Sequence, residues 1–293
     1  MKNVINYYYN LYPQNIFQNH NEYYFFIDKI RYSFVKYNEN IEEIEKIYNM
    51  HLSILNNMYV HPIILNKDNK PLTMIKGVPY VLMQTIYYGD EININDIVKF
   101  SGIEANIKKV HNWAELWSKK NDYIEYQIKQ FGYKYKLLKI STPYYIGLGE
   151  NAIQLLNITE PKNIRLYYTH KRINKKNTTY DLYNPLNIKI DTRIRDAAEF
   201  IKNKFFSGEN INDDINYYIS AAKLTVEEHI LFFSRMLYPT YYFDLLERII
   251  KNELEESKIK IITNKVDEYE YILKKLYKYY KTFINLPAIE WLE

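Results

Sequence analysis

The side chains of this 293-residue chain that could do chemistry gather between residues 164 and 199. The short apolar stretch Ile164-Arg-Leu-Tyr-Tyr-Thr runs into His170-Lys171-Arg172. Asn177 follows, then Asn187-Ile-Lys-Ile-Asp191, and Arg195-Asp-Ala-Ala-Glu199 opens a helical pattern. A strand, a His-led loop, a strand ending in Asp and a helix could together handle phosphate. Transfer of a phosphoryl group to a hydroxyl needs a carboxylate that accepts the hydroxyl proton. The loop offers Arg172 instead, and a guanidinium stays protonated at any relevant pH. The region has the layout for such chemistry without its base. Asp181 is the one nearby carboxylate within the loop that could replace it.

Glycine and lysine give two further tests. A glycine-rich hairpin lets the backbone close over nucleotide phosphates, but the first of the seven glycines is Gly77. Nothing before it can build that hairpin in the standard way, and Walker-type and Rossmann-type glycine patterns are absent. Lys36 precedes Glu42, Glu43 and Glu45. A lysine so placed could grip phosphates and pair with a helix glutamate, or it is an exposed strand lysine beside an acidic helix start. The six histidines, at 20, 51, 61, 111, 170 and 229, show no metal-ligand spacing. His170 reads as a hydrogen-bonding residue that orders its loop. Glu227-Glu-His229 reads as a helix-start charge cluster, and no Gly-x-Ser-x-Gly elbow occurs.

These residues resemble the catalytic loop of aminoglycoside-phosphotransferase-like kinases, which reads His-Gly-Asp, then Asn, then an apolar strand ending in the magnesium Asp. His170 takes the His position, Lys171 the Gly position and Arg172 the Asp position; Asn177 falls where the metal Asn belongs. Asp191 resembles the magnesium Asp, or, five residues before Asp196, a structural Asp that follows the metal ligand. Three other segments resemble the spore-coat-associated kinase-like proteins of the YutH type, relatives of the CotS coat proteins: Trp113-Ala-Glu-Leu-Trp117 with the residues to Glu125, Asp191-Thr-Arg-Ile-Arg-Asp196-Ala-Ala-Glu-Phe, and Ser234-Arg-Met-Leu-Tyr-Pro239-Thr-Tyr-Tyr-Phe-Asp244. The resemblance implies a protein kinase-like fold and a part in spore coat assembly, with other coat proteins as partners. It implies the mother-cell cytoplasm and spore coat as location. No ATP or magnesium is expected in the leading reading; residual binding would fall to Lys36, Asn177 and Asp191. The alternative is an active kinase that uses ATP and magnesium on a small molecule or on a hydroxyl of coat polysaccharide.

Composition sets the outer limits. The chain is long enough for two lobes with buried cores. Hydrophobic residues make up 47%, a figure inflated by 33 tyrosines, and no apolar run is long enough for a membrane span. The first residues lack the apolar core and cleavage site of a signal peptide. Zero cysteines exclude disulfides and thiolate metal sites, which fits a reducing compartment. A net charge of +4 is mild, and basic and acidic residues interleave. Tyrosine mixed with lysine could stack single-stranded nucleic acid, but an AT-rich genome accounts for the same bias, and nucleic acid is not the expected partner.

The elements that must hold these residues read as follows. Two antiparallel strands span 22 to 37 around the polar break Asp28-Lys29. Asn40 starts a helix bearing Ile41, Ile44, Ile47, Tyr48, Leu52 and Leu55. Strands at 61 to 70 and 79 to 86 flank the turn at Lys67. Helices follow at 92 to 100 (capped by Asn95), 107 to 131, 149 to 156, 195 to 206, 212 to 222, 226 to 236, 240 to 256 and 263 to 284. The stripe of Val110, Trp113, Leu116, Trp117, Tyr123 and Ile124 reads first as core, as do Tyr238, Tyr241, Tyr242 and Phe243. The expected fold is α+β and bilobal, with a small β-rich N-lobe at 1–88 and a helical C-lobe at 89–293.

Overall fold

The structure, a computed structural model, describes residues 1–19, 22–105, 112–162 and 164–293. The expected helix start at 107 to 111, with Val110, lies outside the described residues, as do His20 and His111. The chain forms two compact units. The first holds Met1–Ile92, His170–Arg172 and Lys176–Ile190; the second holds Asn93–Thr169, Ile173–Lys175 and Asp191–Glu293.

The first unit opens with a helix and strand that the sequence reading did not mark, α1 (Lys2–Tyr9) and β1 (Ile16–Asn19). Then come β2 (Glu22–Ile27), β3 (Ile30–Lys36), α2 (Ile44–Leu55), β4 (Ile63–Ile64), β5 (Thr73–Ile75) and β6 (Val78–Thr85). The sheet is antiparallel in the order β1-β2-β3-β6-β4, with β5 also on β6. Strand alternation divides its core into two layers. Phe34 lies opposite Leu82 on β3 and β6, and these two pack with Phe25 and Ile5 of α1. Val81 and Met83 of β6 point the other way and pack with Ile44 and Ile47 of α2 and Ile63.

Two turns fix the register. Asp28 and Lys29 both have positive φ, 50° and 67°, between the paired ends Ile27 and Ile30. Both central residues of a type I′ hairpin turn need that conformation. Lys76 and Gly77 repeat it between β5 and β6. The strand expected across 61 to 70 is only β4, because Asn66 folds the following loop back. Its side-chain oxygen accepts from the N–H groups of Asp68 and Lys70.

The second unit begins with α3 (Ile94–Phe100). Its cap is Asn93, not Asn95: Asn93 Oδ1 accepts from the N–H groups of Asn95 and Asp96, and Asp96 reaches back to the Asn93 N–H. Next is α4 (Trp113–Phe131), capped by Asn112. Trp113, Trp117 and Ile124 are buried, whereas Leu116 and Tyr123 face outward. After it runs α5 (Lys136–Thr159), three times the length expected, since Pro143 and Gly147 obscured its first half. Pro143 removes one N–H; Ser141 and Thr142 beside it bond back to the carbonyls of Leu137 and Leu138. Gly149 lies where α5 crosses α4, and a Cβ there would stand 2.8 Å from the Asn121 side-chain amide, which would have to shift.

Beyond these lie β7 (Tyr167–His170), α6 (Thr179–Leu182) and β8 (Ile188–Asp191). The remaining helices of the second unit are α7 (Ile194–Phe206), α8 (Asn212–Ala221), α9 (Val226–Leu237), α10 (Thr240–Ile250), α11 (Lys260–Thr263) and α12 (Val266–Lys281). The helix expected over 240 to 256 stops at Ile250, and Asn252 takes the left-handed conformation just beyond it. No described helix is long and apolar enough to cross a membrane.

Candidate functional site

In the first unit the loop after β7 is pinned at several points. His170 is buried, with Nε2 2.8 Å from the Leu182 carbonyl. Asn187 then holds the next two residues. Its carbonyl accepts the Lys171 N–H at 2.7 Å, its side-chain oxygen accepts the Arg172 N–H at 3.3 Å, and its side-chain NH₂ donates to the Arg172 carbonyl at 3.0 Å. The backbone of Arg172 is thereby fixed while its side chain stays exposed. Among the described residues the guanidinium has no hydrogen-bond or carboxylate partner.

Lys171 forms an ion pair with Glu39, three residues past the end of β3. That pair ties the loop to the strand that carries Lys36. Lys36 itself is exposed, and among the described residues it pairs with none of Glu42, Glu43 or Glu45. The glutamates instead serve the helix start, where Asn40 accepts the Glu42 N–H. Asn177 accepts the Ile92 N–H through its carbonyl at 3.2 Å. Asp181 caps α6: its Oδ2 accepts from the Thr178 N–H at 2.9 Å and from the Thr178 hydroxyl at 3.4 Å.

Asp191 belongs to the second unit and is buried, with 6% of its surface exposed. Its Oδ1 accepts from the Thr192 N–H at 2.8 Å, the Trp113 indole at 3.3 Å and Arg235 Nη2 at 3.2 Å. Arg195 Nε, in the first turn of α7, stands 3.5 Å from Oδ2. Two guanidiniums thus neutralise one carboxylate. Burial of Arg235 lowers its proton affinity, with the Asp191 charge acting in the opposite direction. A magnesium ion needs open carboxylate oxygens; this carboxylate is already surrounded by donors and cations, which does not fit a metal ligand. Among the described residues no group of three His, Asp or Glu side chains converges as a metal cluster would.

Arg235 was missed as the partner of Asp191, although the segment that carries it stood out. Its neighbours explain that segment. Tyr238 stacks on Trp117 at 4.4 Å and donates to the Trp117 carbonyl at 3.1 Å. Lys202, buried at 1% exposure, donates to the carbonyls of Arg235 and Tyr238 and to Thr240 Oγ1 while pairing with Glu199. It closes the C-terminal end of α9, where a cation is favoured. Burial raises the Glu199 carboxyl, but the charge of Lys202 and the Thr240 hydroxyl outweigh it and leave it below its ordinary value.

The profile of the family described as Spore coat putative kinase YutH matches residues 2–282. The chain belongs to that family. It is 25% identical to the endospore coat-associated protein YutH of Bacillus subtilis strain 168 over 291 residues, 85% of each chain. Among solved structures it is similar to an aminoglycoside phosphotransferase from Alicyclobacillus acidocaldarius, with a TM-score of 0.70 at 10% identity over 92% of this chain and 93% of that one. It is also similar to a spectinomycin phosphotransferase bound to AMP, with a TM-score of 0.59 at 9% identity over 94% and 96%. A choline kinase from Streptococcus pneumoniae gives a TM-score of 0.50 at 9% identity over 94% and 97%. The fold of this YutH-family chain is therefore kinase-like and α+β, as its loop residues implied.

Proposed function

We propose that this member of the spore coat family is a catalytically degenerate kinase-like protein that acts as a coat component or coat assembly factor. The observation that carries the reading is Arg172, at the position where the resemblance places the catalytic carboxylate. Arg172 sits on a backbone held from both sides by Asn187, so the loop presents a permanent cation where a base is needed. Three further features support it. Asp191 Oδ1 accepts from Arg235, Trp113 and the Thr192 N–H, and Arg195 stands beside Oδ2. Lys36 lacks a glutamate partner among the described residues, and no glycine precedes Gly77.

The residues present do not fit ATP and magnesium. Other spore coat proteins are the proposed partners, and the mother-cell cytoplasm and the coat the proposed location, by family membership. The hydroxyl-kinase reading would use Asp181 as base, but that carboxylate holds the start of α6. The test is genetic. In the native organism, a deletion strain's coat defect should be rescued by chains carrying Arg172→Ala or Lys36→Ala as fully as by the wild type. Failure of these variants at normal protein level, together with magnesium-dependent phosphate transfer by the purified wild type, would favour the kinase.

A further inference from the structure

A groove of about 520 Å³ runs between α8 and α12 of the second unit. Ligand sites commonly occupy about 300–1,000 Å³ and combine apolar walls with a few fixed polar groups. The α8 wall carries two ridges at helical spacing: Ile215 and Ile219 are apolar, Asn216 and Ser220 hydrogen-bonding. Opposite them stand Leu276 and Lys275 of α12.

The open end is aromatic. Tyr279 and Phe283 pack edge to face, 5.3 Å between ring centres, yet remain 47% and 48% exposed. Phe283 also leans on the His229 ring at 5.5 Å. The His229 Nδ1 is enclosed without a hydrogen-bond partner among the described residues. That burial leaves the imidazole neutral, as an uncharged wall.

Charge decides what could fill this space. Lys275 is the lining's one charged side chain, and among the described residues no aspartate or glutamate lines the groove. Its ammonium lies 4.4 Å from the Tyr271 ring, with no carboxylate partner among the described residues. A cation would find no counter-charge here, and a fully polar ligand would leave the isoleucines and Leu276 unmatched.

We infer that this groove binds a small amphipathic anion, an aromatic or alicyclic body with a single carboxylate- or sulfonate-like group. The body lies between Ile219 and Leu276 with one face on Tyr279 and Phe283, and the anionic group meets Lys275. Asn216 and Ser220 hydrogen-bond polar substituents along the other edge. This site is independent of the degenerate loop and of the coat reading.

The probe is 8-anilinonaphthalene-1-sulfonate, titrated into the native chain by calorimetry and fluorescence, beside its uncharged analogue N-phenyl-1-naphthylamine. One saturable site is expected, with the anion favoured. Lys275→Met should weaken the anion about fivefold, the scale of one exposed ionic contact, and leave the neutral analogue unchanged. Ile219→Trp should fill the groove and abolish binding of both, and Phe283→Ala should weaken both. Unsaturable binding, or binding that Lys275→Met and Phe283→Ala leave intact, would overturn the inference.

Discussion

Asp191 and Arg235 form an ion pair inside the second unit, with Oδ1 and Nη2 3.2 Å apart and 6% and 5% of the two residues exposed. It joins the end of β8 to α9, and Trp113 of α4 donates to the same oxygen. The residue that resembles a magnesium ligand is thus the centre of an inter-helix network. Removing one partner of a buried pair strands the other charge. Asp191→Ala and Arg235→Met should each lower unfolding stability by about 3–5 kcal/mol, measured by urea denaturation. The double variant should lose clearly less than the sum, because the two residues are coupled.

Lys202 makes a related prediction. Its ammonium satisfies two carbonyls at the end of α9 and neutralises Glu199. Lys202→Met keeps the volume but removes the ammonium from both carbonyls and leaves Glu199, among the described residues, with only the Thr240 hydroxyl as donor. A loss of roughly 3 kcal/mol is expected, and Glu199→Gln added to it should recover part of the loss.

Much of this was legible beforehand, and the limits have physical causes. The β2–β3 hairpin was visible because strand residues on both sides bracket the polar pair Asp28-Lys29. The α9 start was visible because Thr225 and Glu228 form a reciprocal cap. By contrast, α5 hid behind Pro143 and two glycines: local propensity opposed a helix that tertiary packing on α4 sustains. In sequence Gly149 opens the expected helix, whereas in space it lies mid-helix where α5 packs on Asn121 of α4. At the loop, residue types marked Arg172 at the position where the resemblance puts a carboxylate. They could not tell that Asp191 pairs with Arg235, a residue 44 positions away. Sequence distance hides such pairs.

The α4–α5 crossing is itself testable. Gly149→Ala would bring a methyl group against the Asn121 side chain, which donates to Glu150. Helix propensity alone favours alanine, but overpacking here should dominate and destabilise by about 1–3 kcal/mol. A gain in melting temperature would refute the close approach.

The first unit should be acid-sensitive through two buried histidines. His51 Nε2 accepts the Ile63 N–H, and His61 Nδ1 accepts the Ile86 N–H while its Nε2 faces the Tyr180 carbonyl. Burial lowers both to about 4 from an ordinary 6.5. The unfolded chain therefore takes up these protons first as pH falls. Stability is complete above pH 6.5 and declines from there towards pH 4, by roughly 2–3 kcal/mol per histidine. Denaturation at stepped pH should show this slope, and His51→Gln should reduce it.

The central claim is that the kinase-like fold has lost its nucleotide chemistry, and magnesium-ATP tests it most directly. The melting temperature of the purified chain should be followed with millimolar ATP, with and without magnesium. A ligand at a hundred times its dissociation constant adds about 2.7 kcal/mol, a shift of several degrees for a chain of this size. The account predicts no shift under either condition. A magnesium-dependent rise that disappears in Asn177→Ala, with the ligand-free melting temperature unchanged, would contradict it.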